Sequence, residues 1–210
     1  MAPYTEADMD NIEAKLGEYD FIAVIDTSSS MGEANRRDNQ GGATRWAAMQ
    51  EAVMGFVRDI EKLDSDGIDV VQLGGNCKSW TGVTSDRVRS MFEELTPRGS
   101  TPLAEALEVA LKLAGKSAKK DFIVVFTDGV PDDGVAAARV IKDAANRQGS
   151  DDALTILFIQ VGDDDRAAAY LRGLDDNLKG AKFDIVDAMT VTEMNNFNST
   201  AEAIMKAIND

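Results

Sequence analysis

Three stretches hold the side chains best suited to chemistry: Asp26-Thr27-Ser28-Ser29-Ser30-Met31-Gly32, Gly99-Ser100-Thr101-Pro102-Leu103 and Thr127-Asp128-Gly129. Together they offer two carboxylates, Asp26 and Asp128, and a group of Ser and Thr hydroxyls, with no nitrogen or sulfur ligand among them. Such hard oxygen donors suit a hard divalent cation. Few carboxylates and many neutral hydroxyls favour Mg²⁺, which keeps several waters, whereas Ca²⁺ takes more protein oxygens, often from bidentate carboxylates. Plainer roles exist for the same residues. Ser30 can cap a helix, Thr101 can cap the one opening at Pro102, and Asp128 can order a turn.

Composition removes most alternatives. The 210 residues contain no His and one cysteine, Cys77. Ser-His-Asp and Cys-His catalysis are therefore excluded, as are zinc sites of the His/Cys type and an internal disulfide. Cys77 reads as a small half-buried residue, since it has no second cysteine to resolve an oxidised thiol. The net charge of −15 disfavours general attraction to nucleic acid or anionic lipid. The acidic first twenty residues lack the apolar run of a signal peptide, and no stretch has the ~20 apolar residues of a membrane helix. With the lone cysteine, this leads us to expect a cytoplasmic protein that spans no membrane.

The elements that must position the three stretches follow from hydropathy. Met9, Ile12 and Leu16 recur at helical spacing after a possible capping box, Thr5-x-x-Asp8. Tyr19 to Ile25 reads as a buried strand ending at Asp26. Trp46, Met49, Val53, Phe56, Ile60 and Leu63 form the stripe of a long helix. Strands are expected at 68–73, 77–80, 122–126, 154–161 and 183–186, with a Gly74-Gly75-Asn76 turn before the second of these. Helices fall between them, at 86–95, 102–115, 135–145 and 167–174, and a last one at 201–208. The alternation predicts an α/β, doubly wound, mostly parallel six-stranded sheet with one antiparallel edge strand and helices on both faces. Residues 1–210 read as one domain, with 1–18 as a helical extension packed on it. Following strand directions, the loops at 26–31, 96–101 and 128–134 all fall on the carboxyl edge of the sheet, where open α/β sheets bind ligands.

The combination resembles a von Willebrand factor type A domain. Asp26-x-Ser28-x-Ser30, Thr101 and Asp128 match the five positions of that family's metal-ion-dependent adhesion site, and the order of elements agrees along about the whole chain. The resemblance implies that Ser28, Ser30 and Thr101 give hydroxyl oxygens to a metal. Asp26 and Asp128 would bind it directly or through water, and a partner's carboxylate would fill an open position. The metal would be Mg²⁺, with Mn²⁺ or Ca²⁺ as alternatives, and the partner a protein offering Glu or Asp. Asp-x-Ser-x-Ser-Met-Gly with Ser-Thr-Pro-Leu and Thr-Asp-Gly resembles the intracellular bacterial branch. That branch includes domains associated with tellurite resistance and with AAA-type ATPases. In relatives, changes at the metal loops couple to the last helix, here Thr200 to Ile208.

The expected function is thus a metal-dependent protein–protein interaction module and not an enzyme. One alternative is a Mg²⁺-dependent phosphotransferase with an Asp nucleophile after the first strand. Its general acid would lie two residues on, where Ser28 stands, and a serine hydroxyl cannot replace a tuned carboxyl. Another is a scaffold domain with an unused metal site. Asp26→Ala is expected to relieve repulsion from Asp128. Beside the motif, Arg36 or Arg37 could pair with a partner's carboxylate. Asp163-Asp164-Asp165 reads as a helix N-terminal cap.

Overall fold

The computed structural model describes residues 6–34, 43–63 and 66–209. The possible cap at Thr5 and the arginines Arg36 and Arg37 lie outside the described residues.

Six strands form one sheet: β1 (Tyr19–Asp26), β2 (Ile68–Leu73), β3 (Ser79–Val83), β4 (Lys120–Thr127), β5 (Leu154–Gln160) and β6 (Val186–Thr190). Their spatial order is β3-β2-β1-β4-β5-β6, and every pairing is parallel except β2 with β3. The expected doubly wound sheet with one antiparallel edge strand is therefore present. Strand order reverses between β1 and β4, so the crevice of such folds opens where Asp26 and Asp128 follow their strands.

Alternation along β1 explains the two-sided core. Phe21, Ala23 and Ile25 face one layer, and Ile22 and Val24 the other. The first layer packs helices α1 (Glu6–Leu16), α2 (Arg45–Ile60), α3 (Ser85–Glu94) and α8 (Thr200–Ile208). Its centre is aromatic: Phe56 stands edge-on to Phe21 and to Phe126. The opposite layer packs α4 (Leu103–Leu113), α5 (Gly134–Arg147) and α6 (Asp165–Asp176) through Leu107, Ile141 and Leu171. A short helix, α7 (Val191–Met194), links β6 towards α8.

Two strands sit later in the chain than their hydropathy implied. β3 begins at Ser79, because Cys77 takes a left-handed backbone (φ 46°) and belongs to the turn. β6 spans 186–190 instead of 183–186. Its Asp187 interrupts the apolar pattern but is buried against Lys206, whose Nζ lies 2.8 Å from the carboxylate. α7 was not expected, although Thr190-x-x-Glu193 forms a complete capping box.

Candidate metal centre

The site begins with how its loops are held. At the end of β1, Thr27 donates its amide N–H to the Leu73 carbonyl (2.8 Å), and its carbonyl accepts from the Arg98 amide (2.7 Å). Ser29 donates its amide to the Gly99 carbonyl (3.1 Å), so the first and second loops are joined by main-chain bonds on both sides of Ser28. The Thr101 carbonyl accepts from the Asp132 amide (3.0 Å), which ties the second loop to the third. Gly74 completes the frame. Its φ is 121°, and a Cβ there would stand 2.8 Å from Thr27 Oγ1, so no other residue fits.

Side chains then converge within this frame. Ser30 Oγ donates to Asp128 Oδ1 at 2.8 Å and lies 3.1 Å from Ser28 Oγ. A serine hydroxyl has one proton; Ser30 spends it on Asp128, so Ser28 is the donor in the other contact. Asp26 accepts from the Ser28 amide on Oδ1 (2.8 Å) and from Thr127 Oγ1 on Oδ2 (2.6 Å). Ser30, Thr101 and Asp128 line one cavity of about 490 Å³, together with Glu33, Arg45, Val130, Asp164 and Arg166. Asp26, Ser28 and Asp128 are almost completely buried, and Thr101 is 9 % exposed.

Burial is the main influence on Asp26 and pushes its pKa up to about 6. Hydrogen bonds from Thr127 and Ser28 work in the opposite direction, and the negative charge of Asp128 adds a smaller upward push. Repulsion between the two aspartates is thus a lesser burden on Asp26 than the loss of water.

One residue at the site was missed in the sequence. Arg45, the first residue of α2, is buried with its Nη1 2.7 Å from Asp128 Oδ2. The same nitrogen donates to the Ser30 carbonyl (3.3 Å) and lies 3.9 Å from a Glu33 carboxylate oxygen. A cation beside the N-terminus of a helix opposes the helix dipole. That mismatch, directly after the Thr44 cap, was the available signal. Thr127 belongs to its motif by sequence, and its bond to Asp26 shows only in the fold. At α6, Asp164 is the cap: its Oδ1 accepts from the amides of Arg166 and Ala167.

The donor set fits a cation of the expected kind. Among the described residues no cluster of three or more His, Cys, Asp or Glu could hold a metal. Any ion here would depend on two carboxylates, hydroxyls and water, which suits Mg²⁺ better than a carboxylate-rich Ca²⁺ cage. The hydroxyl protons of Ser28 and Ser30 are directed along the chain to Asp128, leaving oxygen lone pairs for a ligand.

Comparison with known proteins agrees with this architecture. The family model for the von Willebrand factor type A domain matches residues 21–130. No curated protein matches the chain. Among solved structures, an aerotolerance-related membrane protein from Bacteroides fragilis is 19 % identical with a TM-score of 0.60, covering 91 % of this chain and 98 % of that one. The PilB minor pilin from Streptococcus sanguinis is 15 % identical with a TM-score of 0.59, over 91 % of this chain. The match spans 60 % of the pilin's length. The manganese-loaded TRAP protein of Plasmodium vivax is 16 % identical with a TM-score of 0.57, covering 84 % of this chain and 70 % of that one. At these identities the likeness is one of fold.

Proposed function

The chain belongs to the von Willebrand factor type A domain family, a family of protein-interaction modules, and on that premise we propose that it binds a partner protein through a divalent cation. Asp26, Ser28, Ser30, Thr101 and Asp128 would hold the ion, and Mg²⁺ is the proposed occupant, with Mn²⁺ or Ca²⁺ as alternatives. The observation that carries the reading is the hydrogen-bonded run Ser28–Ser30–Asp128, whose Ser30 and Asp128 line the same cavity as Thr101. The manganese carried by the TRAP neighbour supports it. When bound, the cation supplies a directed bond to a carboxylate and reverses the local field.

The chain's own residues supply the rest. Main-chain bonds fix the three loops, so the ligand oxygens are positioned before a partner arrives. The protein carries a net charge of −15 and would repel an acidic partner at most of its surface. The ion would offset that repulsion at the cavity, where Glu33, Asp128 and Asp164 outnumber Arg45 and Arg166 on the lining. Val130 and Arg166, both on the lining, form the rim candidates for selectivity. Val130 and Val135 are the exposed large hydrophobic residues of the described chain, at 49 % and 83 %.

The proposal is non-enzymatic: Ser28 stands where an Asp-nucleophile phosphotransferase would need its acid, and its proton is engaged with Ser30. It includes residues 1–210 as one domain, with 1–18 packed upon it, supported by Ile12 and Leu16 buried in the first core layer. It also includes a cytoplasmic, bacterial stress-resistance or ATPase-associated setting, on the resemblance to the intracellular branch and the single cysteine. Among the described residues, no helix is long and apolar enough to cross a membrane.

Two measurements test the metal reading. Calorimetry with Mg²⁺ and Mn²⁺ should show one ion per chain for wild type, and none for Asp26→Ala or Thr101→Ala. Capture of partners from lysate should then require the ion and fail in EDTA. Folded wild-type protein that takes up neither ion would defeat the proposal, and capture unchanged by EDTA would favour a scaffold with an unused site.

A further inference from the structure

Arg45 is an expensive residue where it stands. Its side chain is 5 % exposed, and that of its partner Asp128 only 1 %. Burying such a pair costs desolvation on both ions, which the mutual attraction offsets only with good geometry. The geometry is incomplete, because Arg45 Nε is buried with no hydrogen-bond partner among the described residues. The charge also faces the wrong end of α2. An apolar pair in place of both Arg45 and Asp128 would cover the same core at less cost. The placement therefore needs a reason outside stability.

The reason lies in the oxygens of Asp128. Oδ1 accepts from Ser30 and Oδ2 accepts from Arg45, so both are engaged. We infer that Arg45 is a tethered competitor for the cation, a built-in positive charge that holds Asp128 and weakens metal binding until a partner's carboxylate joins. This inference rests on the metal reading of the site and concerns its regulation. A divalent ion entering the cavity meets Asp128 with its charge already offset by Arg45 at 2.7 Å, so the ion is held by less negative charge than two free aspartates would supply. That offset opposes the metal by itself, and the guanidinium attracts an anionic ligand. Cation and partner then bind with positive coupling, each strengthening the other by the same factor. A weakly held ion that tightens only with an acidic partner limits unproductive capture of free metal.

The test compares wild type with Arg45→Gln, and with Arg45→Met as a second variant lacking any hydrogen-bonding head. Mn²⁺ affinity is measured by calorimetry, and thermal unfolding is recorded in EDTA and in Mn²⁺. The expected result is at least tenfold tighter Mn²⁺ binding in both variants, as the removal of a unit charge close to a divalent ion requires. Melting in EDTA should be lower than wild type, because Asp128 loses its buried partner, and the rise on adding Mn²⁺ should be larger. Arg45→Lys, which keeps the charge, should stay close to wild type in affinity. Equal or weaker Mn²⁺ binding by folded Arg45→Gln and Arg45→Met overturns the inference while leaving the metal centre standing. Absence of Mn²⁺ binding in wild type and all variants overturns both.

Discussion

Asp26→Asn is the substitution whose outcome follows most directly from the structure. In the metal-free protein, burial lifts the Asp26 carboxyl from 3.8 to about 6. A difference of about two pH units, at ~1.4 kcal/mol each, is a burden of about 3 kcal/mol on the folded state at neutral pH. Asparagine removes the charge and keeps most of the bonding. Its oxygen can accept from the Ser28 amide, as Oδ1 does now, and its NH₂ can donate to Thr127 Oγ1. Re-pairing with Thr127 costs up to about 1 kcal/mol, so the variant should be more stable than wild type by about 2 kcal/mol at pH 7 in EDTA. The pH dependence has a definite sign. Unfolded chains lose the Asp26 proton near 3.8 and folded ones near 6, so the folded state binds more protons between those values. Its contribution to stability is therefore full below about pH 4, falls as pH rises, and is lost above about pH 6. Urea unfolding in EDTA, repeated across that range, reads the difference between variant and wild type. The difference should be small near pH 4, grow through pH 6 and then level. A variant no more stable than wild type at pH 7, or a gap that does not open between pH 4 and 6, refutes the reasoning. Mn²⁺ should stabilise wild type and not Asp26→Asn.

Gly74→Ala should destabilise by about 2–3 kcal/mol in urea unfolding, because it combines a forced φ of 121° with a 2.8 Å approach to Thr27 Oγ1. Lys206→Ala leaves the buried Asp187 carboxylate, among the described residues, with the bond from the Ala188 amide alone. We expect a loss of about 1–2 kcal/mol, moderated because Lys206 is half-exposed, and faster hydrogen exchange in α8.

The parts of the fold that could be read in the sequence are those governed by burial on both faces. β1 and β4 are runs of apolar residues that stop at Asp26 and Thr127-Asp128, and a buried parallel strand has little freedom to read otherwise. The five proposed ligands are named through the resemblance of Asp26-x-Ser28-x-Ser30, Thr101 and Asp128 to the family's metal site, while the strand directions put their loops on one edge of the sheet. What escaped was set by pairs distant in sequence. Asp187 looked like the end of a strand until Lys206, 19 residues later, is seen to neutralise it within β6. Cys77 looked like a strand residue, but its left-handed backbone is a property of the turn. Arg45 reaches Asp128 across 83 residues, and nothing near position 45 names its partner. Arg36 and Arg37 lie nearer to the motif in sequence.

The loops around the cavity are fastened through amides and carbonyls, from Arg98 to Thr27, Ser29 to Gly99 and Asp132 to Thr101. Such fastening is indifferent to which side chains the fastened residues carry. Positions on the outer edge, such as Val130 and Arg166, can therefore be exchanged without loosening the frame beneath them. A lineage built on this scaffold could acquire new binding tastes by a few surface replacements, and an engineer could graft them the same way.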